Sequence, residues 1–362
     1  MSVLLTSFSG KRVLVTGHTG FKGSWLSIWL NMLGAKITGV SLAPETTPNN
    51  FEESNVVSLI ANHHLIDIRD GEKLTTLIKE VAPDVIFHMA AQAIVHEGYA
   101  DPVGTFQTNI MGTANMLEAV RQASRPCVVV VVSSDKCYEN REHVWGYREC
   151  DAMGGYDPYS ASKGGTEIVT NSYRQSYFNV ENFADHGVAL ASARAGNVLG
   201  GGDWAQARII PDIVKSLNSN QPVELRNPGA VRPWQHVLEP LSGYLLLAAH
   251  MMNQSPEPYC GGWNFGPNNE STVNVQTITE LAIDVWGSGS WVGGEVKHNP
   301  HEANILRLSI DKANTQLGWC PRFDLKTCIK RTIEWYRHFY KDNSINMLKH
   351  CQADISAYEA SQ

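Results

Sequence analysis

Five consecutive valines, residues 128–132, run directly into Ser133-Ser134-Asp135-Lys136-Cys137-Tyr138, and this junction constrains the fold more than any other stretch. A β-branched run with no polar residue on either alternating face is a strand buried on both sides, as in a parallel sheet covered by helices. Ligands bind at the carboxyl ends of such strands, so the hydroxyl and carboxyl groups after the valines lie at a binding edge. After a loop comes Tyr159-Ser160-Ala161-Ser162-Lys163. A helix through this stretch puts Tyr159 and Lys163 on one face, where an ammonium lowers the pKa of a phenol from about 10 and makes it a usable base. The spacing alone is common on solvated helices, and the strand and serines before it give it weight.

Upstream, residues 11–16 predict a strand that begins almost at the N-terminus, followed by Gly17-His18-Thr19-Gly20-Phe21-Lys22-Gly23 and an apolar helix through Leu33. Glycines there allow a tight turn and close backbone approach, and the helix N-terminus offers unpaired N–H groups to a pyrophosphate. Residues 36–40 predict a second strand. Its end should supply an acidic group to an adenosine ribose, but Ser41-Leu42-Ala43 has none, so this position does not select NAD over NADP. A third strand is expected over 64–68, a helix over 72–81, and a fourth strand over 84–88 ending in Met89-Ala90-Ala91-Gln92. A helix over about 102–121 carries Asn109. His88 and Asn109 read either as site residues or as buried, hydrogen-bonded core, and neither belongs to a metal-ligand pattern. Repeated strand–helix alternation predicts an α/β fold, a Rossmann-like doubly wound parallel sheet.

From residue 188 loops dominate, and the arginines at 208, 232 and 307 serve either surface ion pairs or a phosphate clamp. The organisation expected is a dinucleotide-binding domain over 1–187, a smaller α/β and mainly substrate-binding domain over 188–345 with segments returning to the first, and a tail over 346–362. A chain of 362 residues with 43% hydrophobic content has a sizeable core. A formal charge of −7 gives no general attraction to nucleic acid or an anionic membrane. Seven cysteines without close metal-ligand pairs fit a reduced compartment. With no signal segment and no apolar run approaching a span, the expectation is a cytoplasmic protein.

Together GHTGFKG, HMAAQ, SSDKCYE, YSASK and the late arginine loops resemble the extended short-chain dehydrogenase/reductases that modify nucleotide sugars, over about residues 10–340. YADPVGTFQTNIMGT and RPWQHVLEPLSGYLLLA are similar to the 4,6-dehydratases among them. The resemblance implies NAD held by Gly17, His18, Gly20, Phe21, Gly23, Ser41, Asp67, Ile68, Ala90, Ala91, Gln92, Asn109, Tyr159 and Lys163. It also implies a sugar nucleotide, CDP-glucose, held by Asn197, Arg208, Arg232, His236, His301 and Arg307.

By the same resemblance Tyr159 takes the proton of the sugar C4 hydroxyl, Ser134 hydrogen-bonds the reacting oxygen, and Lys163 holds the nicotinamide ribose and lowers the tyrosine pKa. Asp135 is the acid for the departing C6 hydroxyl and needs a pKa above about 3.9. Related dehydratases carry glutamate where this chain has Lys136. That residue is expected either as the base at C5, needing a fall of roughly 3 units from about 10.4, or as the group stabilising the enolate. The bland alternative pairs Lys136 with Glu139. His18, where relatives have a small residue, is expected to crowd or reorient the pyrophosphate. Two other functions share most of these motifs. A 4-epimerase needs no C6 acid, and a nucleotide-sensing protein needs no catalysis. The resemblance further implies a homodimer through the helices containing Asn109 and Tyr159, with a tetramer as the larger assembly.

Overall fold

The computed structural model describes residues 2–293, 306–341 and 346–361. Seven strands form one sheet: β1 (Arg12–Thr16), β2 (Lys36–Ser41), β3 (Asn62–Leu65), β4 (Val85–His88), β5 (Cys127–Val132), β6 (Val188–Ala195) and β7 (Gly262–Phe265). Their order is β7-β6-β5-β4-β1-β2-β3, and every pairing is parallel. The chain winds outward from β1 through β2 to β3, then crosses back to β4 and winds the other way. The switch point therefore lies between the carboxyl ends of β1 and β4, where such sheets bind ligands.

Alternate residues of each inner strand enter opposite cores. Val13, Val15, Val128, Val130 and Val132 pack on one face with Trp25, Ile28 and Trp29 of the helix Phe21–Met32 and Leu241, Leu245 and Ala248 of the helix Leu238–Asn253. Leu14, Val129 and Val131 pack on the other with Leu74, Leu77 and Ile78 of Gly71–Val81 and Met116, Leu117 and Val120 of Gly112–Ala123. Burial on both faces explains the unbroken valine run. A polar residue at any of those positions would lie in a core with no water.

Past β6 the chain builds a second layer above the strand ends. The helices Ile209–Asn218, Val275–Trp286 and Leu325–Lys341 surround two short strand pairs, Val223–Leu225 with Trp291–Gly293 and Val231–Pro233 with Thr272–Asn274. Between these pieces Leu238–Asn253 and β7 return to the large sheet.

Three expectations are corrected. The chain opens with a helix, Ser2–Phe8, rather than a strand, and Phe8 plugs the core beside Phe87. The third strand lies at 62–65 rather than 64–68. It is an edge strand paired only with β2, and Ile68 instead turns into the core under the cleft. The stretch beyond 346, read as a tail, contains the helix Met347–Ala360, with Met347, Cys351, Ile355 and Tyr358 buried along one face. Trp29 Nε1 donates to Glu359 at 2.9 Å, and Tyr358 donates to Glu239 at 2.6 Å, which locks that helix to the first layer.

Candidate active site

A cleft of about 740 Å³ runs over the switch point. Its floor is the glycine turn after β1. Gly17 has φ +76°, and a Cβ there would come within 2.8 Å of the Ala90 nitrogen, so the turn and the end of β4 meet only through glycine. Gly20 caps the helix Phe21–Met32 without a side-chain hydrogen bond, which leaves N–H groups for a ligand. Ser41 accompanies it, hydrogen-bonded to Thr19 at 2.7 Å, and Asp67 lines the same end while paired with Arg69 at 2.5 Å. Gly23, Phe21, Ile68, Ala90, Ala91 and Gln92 complete this half.

The polar groups after β5 meet the Tyr159 helix at the middle of the cleft. Asp157 caps that helix, Pro158–Ser176, by accepting from Ser160 N at 2.9 Å, and so starts it where Tyr159 faces the strand ends. Ser134 donates to Asp135 at 2.9 Å. Burial raises the Asp135 carboxyl above its ordinary range, against Lys136, Ser134 and Lys22, which pull it down. Gly196 makes room for it, since a Cβ there would lie 2.6 Å from Asp135 Oδ2. Lys136 and Lys163 each place their ammonium 6.0 Å from the centre of the Tyr159 ring.

Burial pushes the Tyr159 phenol up to about 12, with the Ser134 hydroxyl and Arg208 pulling it down and Asp135 and Asp157 pushing it further up. Arg208 is a larger cationic influence on the phenol than Lys163. Lys163 is itself lowered to about 8 by burial, so it has already lost its charge at the pH where a phenol near 12 ionises.

Asn109 and His88 stand behind the cleft. Asn109 sits in a π-helical turn, Gln107–Met111, accepts from Gln92 N at 2.8 Å, and donates to the Gln92 carbonyl at 3.0 Å and Ser162 Oγ at 2.7 Å. It thereby ties the β4 end to the Tyr159 helix. His88 bridges Thr16 and Thr113 and is buried neutral, lowered to about 3. Among the described residues no group of three or more His, Cys, Asp or Glu is placed to hold a metal.

On the far side Asn197, Arg208 and Arg232 line the cleft, and Arg208 is braced by Asp203 at 2.9 Å. Three other expected site residues do not reach it. His236 is buried beneath the second layer between the rings of Trp25 and Phe323, lowered to about 3 by burial. Arg307 turns away to the Val144 carbonyl and to Asn269, where it pins a surface loop. The ring of His18 points down rather than into the cleft, edge-on to Phe51 and hydrogen-bonded to His63 at 2.7 Å. Burial, with His63, lowers it to about 4. Any influence of His18 on a pyrophosphate therefore passes through the turn's backbone, not through a clash with the ring. Replacing His18 by Ala should open a cavity and cost roughly 2 kcal/mol or more of stability, seen as a lower urea midpoint. His301 lies outside the described residues.

Lys22 was missed. It lines the cleft, and burial lowers its ammonium to about 8, with Arg208 and Lys163 lowering it further and Asp135 and Asp203 raising it. Its position inside the glycine motif was the available signal.

A glycine turn at the switch point of a parallel sheet, facing a serine and a Tyr–Lys pair at the next strand end, is the arrangement of the extended short-chain dehydrogenase/reductases. Within that class the chain belongs to the family described as GDP-mannose 4,6 dehydratase, whose model matches residues 14–332. It is 49% identical over 352 residues to CDP-glucose 4,6-dehydratase of Salmonella typhimurium, covering 97% of each chain. Among solved structures it resembles UDP-glucose 4-epimerase of Thermotoga maritima with UDP-glucose, at a TM-score of 0.77 and 22% identity over 91% of this chain and 100% of that one. It also resembles dTDP-glucose 4,6-dehydratase of Streptomyces venezuelae with NAD bound, at 0.73 and 24% over 90% and 97%.

Proposed function

We propose that this chain is a CDP-glucose 4,6-dehydratase, converting CDP-D-glucose to CDP-4-keto-6-deoxy-D-glucose and water with NAD as a recycled cofactor. The Asp135 carboxyl carries the reading. A buried acid held above the ordinary carboxylate range, beside Tyr159 at the strand ends, is what loss of the C6 hydroxyl needs and what a 4-epimerase does not. The Salmonella relative supports the choice of sugar nucleotide.

The cleft fits a dinucleotide. Gly17 would let it approach the β4 end, the uncapped helix N-terminus and Lys22 would hold its pyrophosphate, and Ser41, Asp67 and Ile68 would receive its adenosine. NAD, when bound, would take a hydride from C4 and give it back at C6, with a proton returned to C5 to complete the product. Tyr159 takes the proton of the C4 hydroxyl while Ser134 holds that oxygen. The resulting ketone acidifies C5, whose proton Lys136 removes or whose enolate it stabilises. Asp135 protonates the C6 hydroxyl as it leaves as water. Asn197, Arg208 and Arg232 would take the sugar diphosphate from the second layer, where Glu224 and Asn227 also line the cleft.

The decisive assay incubates the protein with CDP-glucose and catalytic NAD. A 4-keto-6-deoxy product without net NADH supports the reading, whereas an epimer, an unchanged sugar or NADH in proportion to product overturns it. CDP-glucose should also be preferred to the thymidine, uridine and guanosine analogues.

We place the enzyme in the cytoplasm, consistent with seven free cysteines. No helix among the described residues is long and apolar enough to cross a membrane. We further propose a homodimer. Val103, Met111 and Ile168 are 63%, 53% and 62% exposed on the helices that bear Asn109 and Tyr159. An apolar face of this kind is covered most simply by a second copy about a two-fold axis. Ile168→Glu should convert the dimer to monomer in sedimentation velocity, and an unchanged mass would place the interface elsewhere.

A further inference from the structure

The Tyr159 helix carries a third polar residue in step with Tyr159 and Lys163. Glu167 lies one turn beyond the lysine and is buried. It accepts hydrogen bonds from Ser133 Oγ, from Ser192 Oγ at 2.7 Å and from the Arg194 guanidinium at 2.8 Å. Arg194 donates onward to the Tyr138 hydroxyl at 2.5 Å, and that hydroxyl donates to Asn264 at 2.8 Å. One carboxylate thus joins the helix to the end of β5 and the middle of β6, and through Arg194 to β7. The two charged side chains are only 4% and 5% exposed. A buried ion pair adds little net stability over apolar residues of the same size, so its use lies in what it holds.

Its position bears on Lys163. The groups facing that ammonium are Tyr159 and Glu167 on its own helix, Cys137 from the turn after β5, His88 from the end of β4, and Lys22 from the glycine turn, with Asp135 beyond Tyr159. Cys137 is held well above its ordinary thiol value by burial and stays neutral, and His88 is neutral as well. Glu167 stays ionised. Burial pushes it up, but Arg194, Ser133 and Ser192 together bring it below the usual carboxylate value.

We propose that Glu167 is a positioning residue of this site: through Ser133 it fixes the strand end bearing Ser134 and Asp135 against Tyr159, and as a fixed anion one helical turn away it keeps Lys163 protonated. The role rests on the dehydratase reading for its consequence in turnover, but its effect on Lys163 is measurable without turnover.

Competitive acylation with acetic anhydride across a pH series, read at the Lys163 peptide by mass spectrometry, gives the titration midpoint of that amine in the protein alone. In Glu167→Gln the midpoint should fall by about one pH unit, because removing an anion favours the neutral amine. In Glu167→Asp, which keeps the charge, it should stay near the wild-type value. In Ser133→Ala the midpoint should stay and kcat should fall about tenfold with little change in KM. With CDP-glucose, the alkaline limb of kcat should move down in Glu167→Gln only. An unshifted Lys163 midpoint in Glu167→Gln overturns the proposal. If that variant does not fold, the doubly neutral E167Q/R194Q replaces it with a smaller fall expected, because a cation leaves with the anion, and loss of fold in both assigns Glu167 a structural role alone and overturns it. Failure of the wild type to dehydrate CDP-glucose would overturn the functional reading while the acylation midpoints still judge Glu167.

Discussion

Tyr159→Phe should lower turnover of CDP-glucose by on the order of 10³-fold or more while leaving the fold and NAD binding in place. Only one oxygen is removed, and the ring, packed beneath Lys136 and Lys163, remains. The expected loss is large because no neighbour can take over. Ser134 is engaged with Asp135 at 2.9 Å, and Asp135 is held toward its protonated form, so neither is a base for the C4 hydroxyl. The pH dependence follows from the same environment. With the phenol pushed up to about 12, the phenolate is the minority form at neutrality. The rate of the C4 step in wild type should therefore rise with pH until Lys163, lowered to about 8, begins to lose its proton. Tyr159→Phe should lose the rising limb. A variant that retains a tenth of wild-type turnover with the same rising limb would remove Tyr159 from the role.

The difference between what was legible and what was not follows the range of the interactions involved. The valine run announces a strand buried on both faces because both of its alternating sets must be apolar, and the glycine turn announces itself because Gly17 needs both positive φ and a missing Cβ. These are local requirements written at consecutive positions. Lys22 was invisible as a site residue because its neighbours Asp135, Asp203 and Arg208 come from distant parts of the chain. His236 and Arg307 failed for the converse reason. A histidine or arginine in a loop-rich stretch reads as a ligand-binding group until the packing of Trp25 and Phe323, or the carbonyl of Val144, takes it out of the cleft. The last helix is legible in its spacing. Met347, Cys351, Ile355 and Tyr358 follow helical spacing, and they are the residues it buries. Glu167 also stands at a legible interval from Tyr159 and Lys163. Its value as an anion depends on Arg194 arriving from a strand 27 residues on, which no local pattern shows.

Lys136→Met should stop the elimination while sparing the oxidation before it. The lysine follows Asp135, lines the cleft, and holds its ammonium 6.0 Å above the Tyr159 ring, on the reacting side of the strand end. The partner that would have made it a structural residue is engaged elsewhere, since Glu139 pairs with Arg141 at 3.0 Å. Methionine keeps the length and flexibility of the side chain and removes only the amine, so Tyr159, Ser134 and Lys163 should still oxidise C4. With substrate, reduced cofactor should accumulate on the enzyme, and overall turnover should fall by on the order of 10³-fold. Exchange of the C5 hydrogen with deuterated solvent separates the two roles open to the amine. A base that carries the C5 proton takes exchange with it when lost, whereas a cation that only stabilises the enolate leaves slow exchange that rises with added buffer base. Exchange at the wild-type rate in Lys136→Met would assign C5 chemistry to another group in the cleft. Asp135 would be the first to test, because its carboxyl stands closest in the chain and would have to act ionised, against the burial that raises it above its ordinary range.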